Sequence, residues 1–138
     1  MTLEENKILM VDDDEHILNL LITCFEKEGF SNISTAMTGS ETLLKIDQEL
    51  PNIILLDVML PDTDGFTLCS KIRSHTNVPI LFLTAKTTDL DKLQGFSFGG
   101  DDYITKPFNP LEIVARVKAQ LKRTTQLSSS YPLKQVYD

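Results

Sequence analysis

Short apolar runs recur along the chain, and each breaks off at a polar residue. Ile8-Leu9-Met10-Val11, Ile53-Ile54-Leu55-Leu56 and Ile80-Leu81-Phe82-Leu83 are uninterrupted. Runs this short, rich in β-branched residues and fenced by turn formers such as Pro51, Pro61 and Pro79, read as strands buried on both faces. Ile33 to Ala36 is partly polar and suits a sheet edge, and Asp102-Tyr103-Ile104-Thr105 makes a fifth strand.

Between the runs the spacing turns helical. Ile17, Leu20, Leu21, Cys24 and Phe25 mark one face, with Asp14 as cap and Gly29 as stop. Thr38-Gly39-Ser40-Glu41 is a capping-box pattern whose helix packs through Leu43 and Leu44. Gly65 opens a third helix, to about Ser74, with Leu68, Cys69 and Ile72 inward. A fourth is predicted from about Thr88 to Phe98, on a thin stripe of Leu90 and Leu93, closed by Gly99-Gly100. Asn109-Pro110-Leu111-Glu112 starts the fifth, with Leu111, Val114, Val117 and Leu121 as its buried stripe.

Strands alternating with helices predict the α/β class with a parallel sheet. Right-handed crossovers then bring every strand's carboxyl end to one edge. Past Arg123 the periodicity lapses, and Thr124-Thr125-Gln126-Leu127-Ser128-Ser129-Ser130 reads as a linker.

Composition narrows the picture. A chain of 138 residues, 41% hydrophobic and 24% charged, suits one globular domain. The net charge of −7 argues against direct nucleic-acid binding by this segment. Its one basic cluster, Lys118 to Arg123, closes a helix, where cations favour the dipole. No apolar run approaches the roughly 20 residues that span a bilayer. The acidic start, Met1 to Asn6, lacks the apolar stretch of a secretory signal. Cys24 and Cys69 fall on apolar helix faces, which predicts reduced core thiols and a cytoplasmic protein.

The strand ends carry the chemistry. Asp12-Asp13-Asp14 follows the first run, Asp57 the third, Thr84-Ala85 the fourth and Lys106-Pro107 the fifth. Clustered carboxylates repel one another, and a hard divalent cation such as Mg²⁺ relieves that repulsion. The acids alone would equally suit Ca²⁺. A hydroxyl and an ammonium add nothing to a cation site but do contact phosphoryl oxygens. The set therefore reads as Mg²⁺-assisted phosphoryl transfer onto a carboxylate, with Asp57 as nucleophile.

In these motifs residues 6–124 resemble the receiver domain of bacterial two-component response regulators. The resemblance implies a CheY-like, flavodoxin-like three-layer sandwich: a doubly wound five-stranded parallel sheet, order 2-1-3-4-5, with five helices. It implies that Asp57 is phosphorylated by a sensor histidine kinase. Asp12, Asp13, Asp57 and the Met59 backbone carbonyl would hold Mg²⁺. Lys106 would pair with the phosphoryl group, Thr84 would reorient toward it, and Tyr103 would turn inward behind Thr84.

Gly100 to Phe108, then Glu112 and Ala115-Arg116, resemble the OmpR/PhoB subfamily. That resemblance implies a homodimer formed on phosphorylation, with Lys92 pairing Glu112 and Asp102 pairing Arg116 across a twofold axis. The intrachain reading makes Glu112 a capping-box residue and Arg116 its i,i+4 partner. Ser97, where an acid is common in the subfamily, leaves Lys118 without its usual partner.

The expected organisation is a tail over 1–6, a receiver over 7–124, and over 125–138 a linker or the start of a winged-helix DNA-binding domain. DNA would be reached only through that further domain, and no membrane is involved. A free-standing receiver acting on protein partners is the alternative. So is a Mg²⁺-dependent phosphatase with Asp57 as nucleophile. Such phosphatases usually carry a second acid two residues after the nucleophile, where this chain has Met59. Enzymatic turnover is therefore not expected beyond self-phosphotransfer and autodephosphorylation. A nucleotide or flavin site is disfavoured by the acidic, glycine-free turn after the first strand.

Overall fold

Lys7–Val11 (β1), Asn32–Ala36 (β2), Ile53–Asp57 (β3), Ile80–Thr84 (β4) and Asp102–Thr105 (β5) form one parallel sheet in the order β2-β1-β3-β4-β5. Glu15–Lys27 (α1), Gly39–Glu49 (α2), Gly65–Arg73 (α3) and Pro110–Lys134 (α4) connect and flank it. This computed structural model describes residues 2–84 and 100–134, with side chains as far as Arg123. The helix expected over 88–98, with Lys92 and Ser97 in it, lies outside the described residues.

Alternation along the strands divides the core in two. Ile8, Met10, Ile53, Leu55, Leu81, Leu83 and Ile104 face Leu18, Leu21 and Phe25 of α1 and Ile113, Val114, Val117 and Leu121 of α4. Leu9, Val11, Ile54, Leu56, Ile80, Phe82 and Tyr103 face Ile46 of α2 and Phe66, Leu68, Cys69 and Ile72 of α3. Helices on both faces bury both sides of β1, β3 and β4, which is why those strands are continuously apolar. The expected three layers are thus present.

The helix starts are capped by side chains. Asp14 accepts from His16 and Ile17 N–H, Thr38 from Glu41, Asp64 from Thr67 and Asn109 from Leu111. Each satisfies backbone donors that the helix itself leaves without partners. Glu41 completes its box one residue early, accepting from Met37 N–H.

Three predicted core leucines point outward: Leu20, Leu44 and Leu111 are 49%, 58% and 59% exposed. In each helix a different phase of the 3.6-residue period wins. Leu18, Thr42 with Ile46, and Ile113 take the inward positions instead. Helix α4 continues to Lys134, into the segment read as a linker, and no glycine interrupts it. Among the side chains described, Leu121 is the last buried apolar residue of the helix.

Candidate functional site

Register sets the site. Val11 pairs with Leu56 and Asp57 with Leu83, so Asp12 leaves β1 beside Asp57 at the end of β3. Thr84 pairs with Thr105, and the Lys106 N–H donates to the Thr84 carbonyl at 2.6 Å. Asp12, Asp57 and Thr84 are buried, whereas Asp13 is exposed. Ligand oxygens of Asp12, Asp13 and Asp57 all lie within 4.8 Å of one another.

Lys106 closes this cluster. Its Nζ lies 3.2 Å from Asp57 Oδ2 and 3.3 Å from Asp12 Oδ2. Burial pushes the Asp12 carboxyl up to about 6; the Asp14 N–H draws it down, the Asp57 charge raises it further, and Lys106 partly offsets that. For Lys106 itself, burial pulls its pKa down, but Asp57 and then Asp12 outweigh it and the ammonium ends raised. An ammonium thus sits where two desolvated carboxylates need a cation.

The second oxygens of both acids are anchored to backbone. Asp12 Oδ1 accepts from Asp14 N–H at 2.9 Å and Asp57 Oδ1 from Met59 N–H at 3.1 Å. Met59 also bridges to Asp64, and Leu60 N–H donates to the Thr63 carbonyl, so the loop after β3 folds back on itself. Gly65 completes the turn: its N–H donates to the Val58 carbonyl, and a Cβ there would meet the Asp57 carbonyl oxygen at 2.6 Å.

The donor set fits a hard cation. It consists of carboxylate oxygens on two adjacent strand ends, with the exposed Asp13 leaving one side open to water, as Mg²⁺ prefers. The described residues contain no second group of three such ligands.

The remaining predicted residues divide. Tyr103 is buried, with its ring centroid 6.4 Å from that of Phe82. Arg116 lies 2.7 Å from Asp102 and 3.2 Å from Glu112 within the same chain. Glu112 therefore serves an ion pair here, not the capping box. Lys118 does have a partner, Glu28 at 3.1 Å, supplied by the end of α1. Lys92 lies outside the described residues.

Sequence reasoning missed Asp62. Its carboxylate accepts from Gly39 N–H at 2.7 Å and from Ser40 N–H and Oγ at 3.1 and 3.2 Å. The Gly39 N–H, then those of Ser40, hold its pKa below the ordinary carboxylate range. The available signal was a solvent-side acid in a Pro-Asp-Thr-Asp-Gly turn, and nothing local ties that turn to a helix start more than twenty residues away.

Residues 8–118 match the family described as the response regulator receiver domain. The chain is 47% identical over 124 residues to the transcriptional regulatory protein YvrH of Bacillus subtilis, covering 90% of this chain and 52% of that protein. It is 49% identical to the regulatory protein VanRc of Enterococcus gallinarum, with 90% and 53% covered. It spans about half the length of these curated relatives. A two-component response regulator from Clostridium difficile superposes with a TM-score of 0.84 at 38% identity, over 87% of this chain and 98% of that one. The response regulator DrrB, a Thermotoga maritima OmpR/PhoB homolog, gives 0.79 at 38% identity, over 86% and 54%. Sequence match, sheet order and strand-end geometry agree: this chain belongs to the response regulator receiver domains, with relatives of the OmpR/PhoB type.

Proposed function

We propose that Asp57 accepts a phosphoryl group from the phosphohistidine of a sensor histidine kinase. The observation that carries this reading is the Lys106 ammonium, 3.2 Å from Asp57 and 3.3 Å from Asp12 within a three-carboxylate cluster. In the transfer an Asp57 carboxylate oxygen forms the new O–P bond. The donor N–P bond breaks, its electron pair returns to the imidazole nitrogen, and the product is an acyl phosphate. Lys106 leaves the carboxylates to pair with a phosphoryl oxygen, which conserves one charge contact while changing its partner. Asp12, Asp13, Asp57 and the Met59 carbonyl hold Mg²⁺, which neutralises phosphoryl charge when bound.

The Thr84 hydroxyl turns to a second phosphoryl oxygen, and Tyr103 turns inward behind Thr84, a switch with two arrangements. The chain undergoes only self-phosphotransfer and autodephosphorylation, with no turnover of outside substrates. Phosphorylation promotes a homodimer in which Asp102, Glu112 and Arg116, with Lys92, exchange partners between chains. Within one chain Arg116 now pairs with the exposed Glu112 and the half-buried Asp102, and an exposed pair of the first kind is worth about 0–1 kcal/mol. Transcriptional output follows through a DNA-binding domain beyond this chain, in the cytoplasm, a reading supported by its similarity to YvrH, which is named a transcriptional regulatory protein. Beryllofluoride, a non-hydrolysed phosphoryl mimic, tests this reading. It is expected to raise the melting temperature and the dimer fraction only when Mg²⁺ is present. A response independent of Mg²⁺, or none, contradicts it.

A further inference from the structure

Gly39, Ser40 and Glu41, at the start of α2, carry backbone N–H groups that the helix cannot satisfy. Thr38 Oγ1 takes one, from Glu41. The other two, from Gly39 and Ser40, go to Asp62, a carboxylate from a loop far along the chain. Ser40 Oγ adds a third bond to the same carboxylate. The two surfaces lie so close that a Cβ on Gly39 would meet Thr63 Cγ2 at 2.7 Å. Asp62 and Thr63 belong to the turn that carries Met59, which closes on itself through the Met59–Asp64 bridge and the Leu60–Thr63 bond. The other anchor also leads back to the acidic site, for β2 runs into α2 and the Ala36 carbonyl accepts from Asp12 N–H at 3.1 Å.

We infer that Asp62 is a positioning residue: by clasping the N-terminus of α2 it fixes the turn from Met59 to Asp64, and so sets the placement of the Met59 carbonyl and the affinity for a divalent cation. The inference rests on the proposed metal-binding role of Asp12, Asp13, Asp57 and Met59. Without the clasp, the turn keeps its internal bonds and the ties of its two ends to Asp57 and Thr67, but its middle loses its side-chain tie to α2. The carbonyl then has to be ordered when the cation arrives, and affinity falls. Groups that orient a ligand from behind typically change metal affinity about 10- to 100-fold.

The test is a calorimetric Mg²⁺ titration of the wild-type chain, Asp62→Ala and Thr38→Ala, with thermal melts of each without metal. Thr38→Ala removes a cap from the same helix start but leaves the clasp. It therefore reproduces any effect of weakening α2 alone. Asp62→Ala is expected to weaken Mg²⁺ binding about 10-fold or more, while Thr38→Ala lowers the melting temperature with affinity within about twofold of wild type. Unchanged affinity in Asp62→Ala overturns the inference. Equal loss in both variants also overturns it, because helix stability alone would then explain the effect. If the wild-type chain itself binds no Mg²⁺, the metal-site reading fails, a result distinct from failure of the clasp.

Discussion

Lys106 and Asp12 are the residues on which the metal-free site balances. Removing one partner of a buried pair leaves the other charge desolvated and uncompensated, which typically costs about 3–5 kcal/mol. Lys106 retains 22% side-chain exposure, so a smaller loss of about 2–3 kcal/mol is expected for Lys106→Met in urea unfolding without metal. Mg²⁺ supplies the missing cation and is expected to recover most of that loss. A deficit that Mg²⁺ leaves untouched would contradict the electrostatic account. Asp12 adds a pH signature. Its folded-state pKa, about 6, stands above its ordinary 3.8, so between those values the folded chain holds a proton that the unfolded chain has released. Metal-free stability from this group is therefore greatest below that window and falls as pH rises through it. Asp12→Asn abolishes the contribution, so its stability curve is expected to fall less steeply than wild type between pH 4 and 6. Parallel curves would count against the shift. The strand-end acids themselves were legible in the sequence, because short apolar runs ended in them. Their unequal burial was not: Asp12 is inside and Asp13 outside because one follows the strand direction and the other begins the turn.

At the scale of elements, the strands were read within a residue or so because burial on both faces makes them continuously apolar. The helices were read less well. Leu20, Leu44 and Leu111 each stand near a second apolar residue that fits the inward face better, and spacing alone does not choose between phases. Contacts between distant elements left no local trace at all. The Arg73 guanidinium reaches the Thr76 and Val78 carbonyls and Asp101 Oδ2, which also accepts from Ile80 N–H. This knot ties the end of α3 to the starts of β4 and β5. Asp101→Ala leaves two of its donors without that acceptor, and a loss of about 1–3 kcal/mol is expected in equilibrium unfolding. A change below about 0.5 kcal/mol would show the knot to be solvated rather than structural. Gly65 is the sharper case. A Cβ there meets backbone atoms of Asp57 and Val58 at 2.6 and 2.8 Å, and backbone cannot swing aside as a side chain can. Gly65→Ala is expected to destabilise by about 2 kcal/mol or more and to disturb the site with it.

For the molecule as a whole, two helix layers hold the sheet so that its carboxyl edge alone gathers acids, hydroxyl and ammonium. That gathering follows from topology: right-handed crossovers place every strand end on one side, and the order β2-β1-β3-β4-β5 puts β1 and β3 together at the centre. The gathering at one edge was readable from the alternation of strand and helix, whereas the strand order was implied only by the resemblance to receiver domains. The helical course past Arg123 was not readable, because the apolar periodicity that marks the rest of α4 lapses there. In the proposed chemistry the whole edge serves one carboxylate, Asp57. Its most direct test is the intact mass of the chain after incubation with Mg²⁺ and acetyl phosphate, alongside Asp57→Asn. One added phosphoryl group on the wild-type chain, absent from Asp57→Asn and absent when Mg²⁺ is chelated, is the predicted result. An adduct that survives in Asp57→Asn, or forms equally well without Mg²⁺, would contradict the account.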